Sequence, residues 1–258
     1  MPTDLAFEDS GAGVPVVLLH AFPLSGAMFA AQVAGLADRA RVVVPDLRGF
    51  GASPGPGEGE PSIDAMADDV AALLGHLDIG PAVVAGVSMG GYVVMAMLRR
   101  HPRQVGAVVL IDTKAGADDG PARENRERIA TAVLDSGSRV LRPMLDGLLG
   151  RTTRSERPDV VRTVTQWLDA AAPDGVAWAQ RAMAGRPSSF GTLAATQVPA
   201  YVLVGEEDTL TTHDDALAMA AAFQRPAPVH VIPRAGHLSA VENPDEVTGA
   251  LRDVLRHF

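Results

Sequence analysis

The pattern Gly-x-Ser-x-Gly occurs twice in this chain, as Gly51-Ala52-Ser53-Pro54-Gly55 and as Gly86-Val87-Ser88-Met89-Gly90. At such a turn a serine hydroxyl can act as a nucleophile. It needs a strand before it, a helix after it, and the backbone N–H of the next residue as an oxyanion donor. After Ser53 stands Pro54, which has no N–H, and then a Gly/Pro-rich run to Pro61 that reads as a loop. Before Ser88 lies the apolar run Pro81–Ala85, which reads as a strand. After it, Met89–Leu98 reads as a buried helix. Met89 keeps its N–H, and Gly86 and Gly90 allow a turn too tight for Cβ atoms. Ser88 is the candidate nucleophile and Ser53 a turn residue.

A serine hydroxyl needs a base, and the base needs an orienting acid. Of the seven histidines, His237 in Arg234-Ala235-Gly236-His237-Leu238-Ser239 follows the last strand pattern and precedes a helix pattern. Site residues of sheet folds lie there, beyond the carboxyl ends of strands. His237 is therefore the candidate base. His20 is expected to bond loop backbone instead. For the acid, Asp208 follows Tyr201-Val202-Leu203-Val204-Gly205 at another strand end. Its rivals are Glu206, Glu207 and, more seriously, Asp112 after Ala107–Ile111. A second oxyanion donor must come from the loop after Val16–His20. Pro23 cannot donate, which leaves Ala21 or Phe22, with Phe22 favoured beside Met89.

The elements that must position these residues are short β-rich runs alternating with helical patterns. This signals an α/β fold with a mostly parallel central sheet flanked by helices. Strands are expected at Val14–His20, Arg41–Pro45, Ala82–Ala85, Ala107–Ile111, Ala200–Val204 and Val229–Ile232. An outer strand at Leu5–Glu8 is expected to end in the turn Asp9–Gly13. Ser62 is placed to cap a helix with the stripe Ile63, Met66, Val70, Leu73, Leu74 and Leu77, ending near Gly80. Asn243-Pro244 opens a last helix with the stripe Val247, Leu251, Val254, Leu255 and Phe258.

Between Thr113 and about Gly191 the alternation stops. Helices are expected at Ala122–Leu134, Val140–Leu149, Val160–Ala171 and Val176–Ala184. Residues 115–190 hold 11 basic and 10 acidic side chains, a balance of +1, so the rest of the chain carries −10 of a net charge of −9. This stretch reads as a helical cap, 114–190, inserted into a core made of 1–113 and 191–258. Met144, Leu145, Leu148, Leu149, Trp167, Leu168, Trp178 and Met183 are its candidate pocket-facing residues.

The 47% apolar content supports a substantial core, and the acidic balance argues against nucleic acid and anionic membranes as partners. There is no cysteine, and no apolar run approaches the ~20 residues a spanning helix needs. The start shows no signal-peptide pattern, so a cytoplasmic location is expected. Gly11-Ala12-Gly13 lacks a third glycine, no Gly-Lys-Ser/Thr occurs, and the histidines lack zinc-ligand spacing. No cofactor and no metal is expected.

Taken together, these residues resemble the α/β-hydrolase superfamily over nearly the whole chain. His20-Ala21-Phe22-Pro23 looks like its His-Gly-x-Pro oxyanion loop, and Asp46–Ser53 like its Asp-x-Arg-Gly-x-Gly-x-Ser loop. Gly86–Gly91 looks like the nucleophile elbow, Gly205–Asp208 the acid loop, and Ala235–His237 with Glu242-Asn243-Pro244 the histidine loop. The nearest resemblance is to small capped carboxylesterases, 3-oxoadipate enol-lactonase-like enzymes and cofactor-free haloperoxidases. Ala21 departs from the usual Gly, and with a short N-terminus the first strand of the usual hairpin is expected to be missing. The resemblance implies a serine hydrolase acting on a small ester or lactone through an acyl-enzyme on Ser88. The alternatives are a ligand-binding or signalling member with slow turnover, and a cofactor-free perhydrolase.

Overall fold

The computed structural model describes residues 5–257. The start at Met1–Asp4 and Phe258 of the last helical stripe lie outside them. The architecture is a seven-stranded sheet of order β1-β3-β2-β4-β5-β6-β7. Its strands are β1 (Phe7–Gly11), β2 (Val14–Leu19), β3 (Ala40–Pro45), β4 (Ala82–Val87), β5 (Val105–Ile111), β6 (Ala200–Gly205) and β7 (Val229–Ile232). Only β1, at one edge, is antiparallel. All other pairings are parallel. The central strand β4 is buried along its whole length, as a strand covered on both faces must be.

Strand order explains where a site forms. From β2 the chain steps to β3 on one side, whereas β4, β5, β6 and β7 follow one another on the other side. The carboxyl ends of β2 and β4 therefore flank the point where the order reverses, which opens a crevice. The loop His20-Ala21-Phe22 leaves β2 there, and Ser88 leaves β4.

Helices α1 (Ala30–Leu36), α2 (Ile63–His76) and α3 (Met89–Arg100) follow in the first half. α3 is buried from Met89 to Leu98 and packs against α2. Between β5 and β6 every regular element is helical. These are α4 (Gly120–Ser136), a 3-10 helix at Ser138–Met144, α5 (Leu145–Leu148), α6 (Arg151–Glu156), α7 (Pro158–Ala170), α8 (Pro173–Gly185) and α9 (Phe190–Ala195). α4 packs along α8. After β6 come α10 (His213–Ala222), α11 (Ser239–Glu242) and α12 (Pro244–Leu255). Among the described residues no helix is long and apolar enough to cross a membrane.

Several local expectations are corrected. β1 runs through Asp9-Ser10-Gly11, because pairing with Val43, Val42 and Arg41 holds these turn-prone residues extended. Ser62 caps α2 by accepting the Asp64 N–H, but the helix closes on Asp78 in a left-handed conformation (φ 51°), ahead of Gly80. Asn243 precedes α12 without capping it; its amide donates to the Pro233 carbonyl at 3.0 Å. The expected single helix at Val140–Leu149 is a 3-10 segment and a short α-turn, since Pro143 removes an N–H inside it.

Candidate active site

Ser88 links β4 to α3 with φ 54° and ψ −110°, a conformation that costs a non-glycine residue of order 1–3 kcal/mol. The surroundings hold it there. Its N–H donates to the Ile111 carbonyl at 2.9 Å, and its carbonyl accepts the Thr113 hydroxyl at 2.8 Å. The two flanking glycines are required by space. A Cβ on Gly86 would lie 2.3 Å from the Gly90 carbonyl oxygen, and one on Gly90 would lie 2.1 Å from that of Leu19. Ser53, in the other copy, is tied into its turn: Oγ donates to the Asp46 carbonyl at 2.6 Å and accepts the Ala6 N–H at 2.9 Å.

The structure brings three of the predicted side chains together. His237 Nε2 lies 2.7 Å from Ser88 Oγ, and His237 Nδ1 lies 2.9 Å from Asp208 Oδ2. With Asp208 ionised, Nδ1–H donates to it and Nε2 is left to accept from the serine. Burial alone would lower the His237 pKa, but the bond to Asp208 and its charge outweigh that and hold the pKa above the ordinary value. Burial would raise Asp208. The bond and charge of His237, together with Thr211, bring it below the usual carboxylate range. Such an arrangement can take a proton from a hydroxyl and return it to a leaving group.

The oxyanion candidates are placed as follows. Met89 is the first residue of α3, where a helix N–H has no intrahelical acceptor. The Ala21 N–H is engaged by the Met28 sulfur at 3.3 Å, which leaves Phe22 as the better donor of the two. His20 is fully buried. Its Nε2 accepts the Leu47 N–H at 2.9 Å and its Nδ1 faces the Ala21 carbonyl at 3.0 Å. Burial lowers its pKa to about 4, so it is a neutral strut between two loops.

The rivals of Asp208 have other partners. Glu206 accepts the Arg234 N–H, and Glu207 takes both the N–H and the hydroxyl of Thr152. Asp112 is fully buried and accepts the Gly205 N–H with Oδ1 and the Ser239 N–H with Oδ2, both at 2.9 Å. It thereby clamps the loops that carry Asp208 and His237. Burial first, and then the charge of Asp208, push its pKa to about 7.

Sequence reasoning missed two residues. Thr211 Oγ1 donates to Asp208 Oδ2 at 2.5 Å, and the Leu210 and Thr211 N–H groups both donate to Asp208 Oδ1. The four-residue run Asp208–Thr211 is the available signal, since a carboxylate commonly gathers N–H groups two and three residues on. Glu242 is buried and accepts the N–H groups of Gly150, Gly236 and Leu238, which ties the start of α6 to the histidine loop. Only Glu242-Asn243-Pro244 hinted at it.

A cavity of ≈ 230 Å³ opens on Ser88 and His237. Phe22, Tyr92, Met144, Leu148 and Met183 line it, with Lys114 and Arg126. Of the apolar positions expected to face a pocket, Met144, Leu148 and Met183 do so. Trp178 instead donates its indole N–H to the Gly59 carbonyl at 3.1 Å and carries the Arg48 guanidinium on its ring. Leu149 and Leu168 are buried in the core, while Leu145 and Trp167 pack against it.

The family defined by the alpha/beta hydrolase fold matches residues 14–244. The chain belongs to the α/β-hydrolase fold family. A malate-bound thermophilic esterase from Thermogutta terrifontis is 42% identical, with a TM-score of 0.95 over 98% of this chain and 93% of that one. 3-oxoadipate enol-lactonase 2 of Acinetobacter baylyi is 28% identical over 90% of this α/β hydrolase and 84% of its own length. A non-heme haloperoxidase of Rhodococcus erythropolis is 27% identical over 96% and 94%. Two curated relatives match over shorter spans, 42% and 32% of their own lengths. The chain thus stands in the α/β-hydrolase fold family, similar to esterase, enol-lactonase and haloperoxidase relatives.

Proposed function

We propose that the chain is a serine hydrolase that cleaves a small carboxylic ester or lactone through an acyl-enzyme on Ser88. The observation that carries this reading is the bonded series Ser88 Oγ, His237 and Asp208, at 2.7 and 2.9 Å, at the mouth of a cavity. Oγ attacks the carbonyl carbon while Nε2 takes its proton. The tetrahedral oxyanion accepts the N–H groups of Phe22 and Met89. Collapse expels the alcohol, which leaves with the proton from Nε2. A water then loses its proton to Nε2, attacks the acyl carbon and frees Ser88. Asp208 keeps the imidazole in the Nδ1–H tautomer and stabilises the imidazolium. Residues 114–190 act as a cap on a core of 1–113 and 191–258, setting substrate size and leaving the chemistry to the core.

Ser88→Ala should lower kcat on p-nitrophenyl acetate by roughly 10³-fold or more, and a fluorophosphonate should label the wild type alone. Ser53→Ala should keep most activity. The opposite pattern would move the nucleophile. Rapid labelling with negligible turnover would favour a ligand-binding role on the same fold. Similarity to a haloperoxidase over 96% of the chain favours a second reaction at the same serine. There hydrogen peroxide replaces water as the acyl acceptor and the product is a peracid. Peracid formation from an ester and peroxide, lost in Ser88→Ala, tests it.

A further inference from the structure

The cavity beside Ser88 holds more positive charge than its acids neutralise. Lys114 and Arg126 line it, and Asp118 is the one carboxylate among its lining residues. Asp118 is already engaged twice. Oδ2 takes the Arg126 Nε–H, and Oδ1 pairs with Arg186 Nη2 at 2.8 Å. Burial alone would raise Asp118, but its bonds to the two guanidinium groups hold it down at about 2, so it stays ionised. One carboxylate thus serves two guanidinium groups. Arg186 is itself buried, stacked 3.9 Å from the Tyr92 ring centroid, and does not line the cavity.

The remaining cations face the cavity. Lys114 is half-buried and forms no ion pair or hydrogen bond with any described residue. Arg126 donates Nη1–H to Gln180 Oε1 at 3.1 Å, whereas its Nη2 has no partner among the described residues. Lys114 also stands close to the elbow along the chain. It follows Thr113, whose hydroxyl donates to the Ser88 carbonyl at 2.8 Å. These two lining cations belong to a protein whose net charge is −9, so the general field of the chain does not account for them. Apolar side chains, Ile129, Met144, Leu148 and Leu210 among them, share the wall with the polar Asn125, Gln180 and Thr211. Apolar side chains beside two cations fit a hydrocarbon chain that ends in an anion.

We infer that the cavity selects esters or lactones bearing a second, remote carboxylate, which Lys114 and the free edge of Arg126 hold while Ser88 takes the ester carbonyl. The inference rests on the serine-hydrolase reading and names its substrate class. A carboxylate on a paired ammonium is a charge-assisted contact. Losing it should cost about 10- to 100-fold in kcat/KM.

The test compares methyl half-esters of glutaric, adipic and suberic acids with their dimethyl esters and with methyl esters of monocarboxylic acids of equal length. Turnover is followed by pH-stat titration. A half-ester should exceed both neutral partners in kcat/KM, mainly through KM, and the advantage should shrink as salt is raised. Lys114→Gln should remove the advantage by about 10-fold or more while changing neutral esters less than about 3-fold, and Lys114→Arg should restore most of it. Half-esters no better than neutral esters in the wild type would overturn the inference and leave the hydrolase reading standing. So would a Lys114→Gln loss equal on both substrate types. Calorimetric binding of a half-ester to Ser88→Ala separates the remaining case. Binding that depends on Lys114 without wild-type turnover of any ester would overturn the hydrolase reading and keep the carboxylate site.

Discussion

Asp112→Asn should destabilise the protein and slow it, without the loss expected for the orienting acid. The carboxylate uses both oxygens, one for the Gly205 N–H and one for the Ser239 N–H. An asparagine has one carbonyl oxygen and one NH2, so one backbone N–H must face a second donor. Asp112 is wholly buried, and water cannot take that place. Leaving a buried donor unpaired costs about 1–3 kcal/mol. For a chain of this size that lowers Tm by roughly 2–10 °C. Gly205 lies three residues before Asp208, and Ser239 two residues after His237, so the loosened loops carry the reacting geometry. A misplacement on the order of 0.5–1 Å costs up to roughly 10²-fold in rate, so kcat should fall by about 10- to 100-fold. The deficit should also depend on pH. A carboxyl whose folded pKa is raised to about 7 stabilises most fully below its unfolded pKa, and that contribution fades as pH rises through about 7. The Tm gap between wild type and Asp112→Asn should therefore be largest in acid and narrow by pH 8. Calorimetry at several pH values, with p-nitrophenyl acetate turnover at each, checks both parts. An unchanged Tm with unchanged kcat would refute the clamp. A loss of 10³-fold or more, with Asp208→Asn active, would make Asp112 the orienting acid.

Asp208→Asn should cut kcat severely and move the acid limb of kcat/KM downward. The His237 pKa stands above 6.5 because of Asp208, so wild-type activity should rise with pH through a midpoint above 6.5. Any residual activity of the variant should titrate lower. A limb that stays in place would mean that another group sets it. Met144→Ala and Met183→Ala should each shift the preferred acyl length over C2 to C10 p-nitrophenyl esters toward longer chains. Each buried CH2 contributes about 0.8 kcal/mol until the wall is met. Trp178→Ala should leave the profile shape unchanged, because its indole packs outside the cavity. If only the Trp178 profile changed, the wall would have been misassigned.

What the sequence disclosed and what it hid follow one physical division. The strand at Ala82–Val87, the turn at Ser88 and the helix from Met89 are set by residues adjacent in the chain. Glycines 86 and 90 stand where Cβ atoms would meet backbone, so the elbow is written in a few letters. The same holds for the five inner strands, β2 to β6, whose mostly apolar runs reflect burial on both faces, while the short run Val229–Ile232 marks β7 at one edge. The seventh, β1, is legible at Phe7-Glu8 but its continuation is hidden by the turn-prone Asp9-Ser10-Gly11, because its partner strand supplies the order there. The clamps are less legible still. Asp112 reaches across 93 and 127 residues to its two partners, and Glu242 across 92 to Gly150. An acid after a strand looks alike whether it orients a histidine or pins two loops. Three-dimensional placement decides between these roles, which is why Asp112 and Asp208 could be ranked from the sequence but not separated. The cavity wall follows the same rule. Met144, Leu148 and Trp178 are alike as apolar letters in helices. Only the packing of those helices against the core turns two of them toward Ser88 and sends the indole of the third to the Gly59 carbonyl.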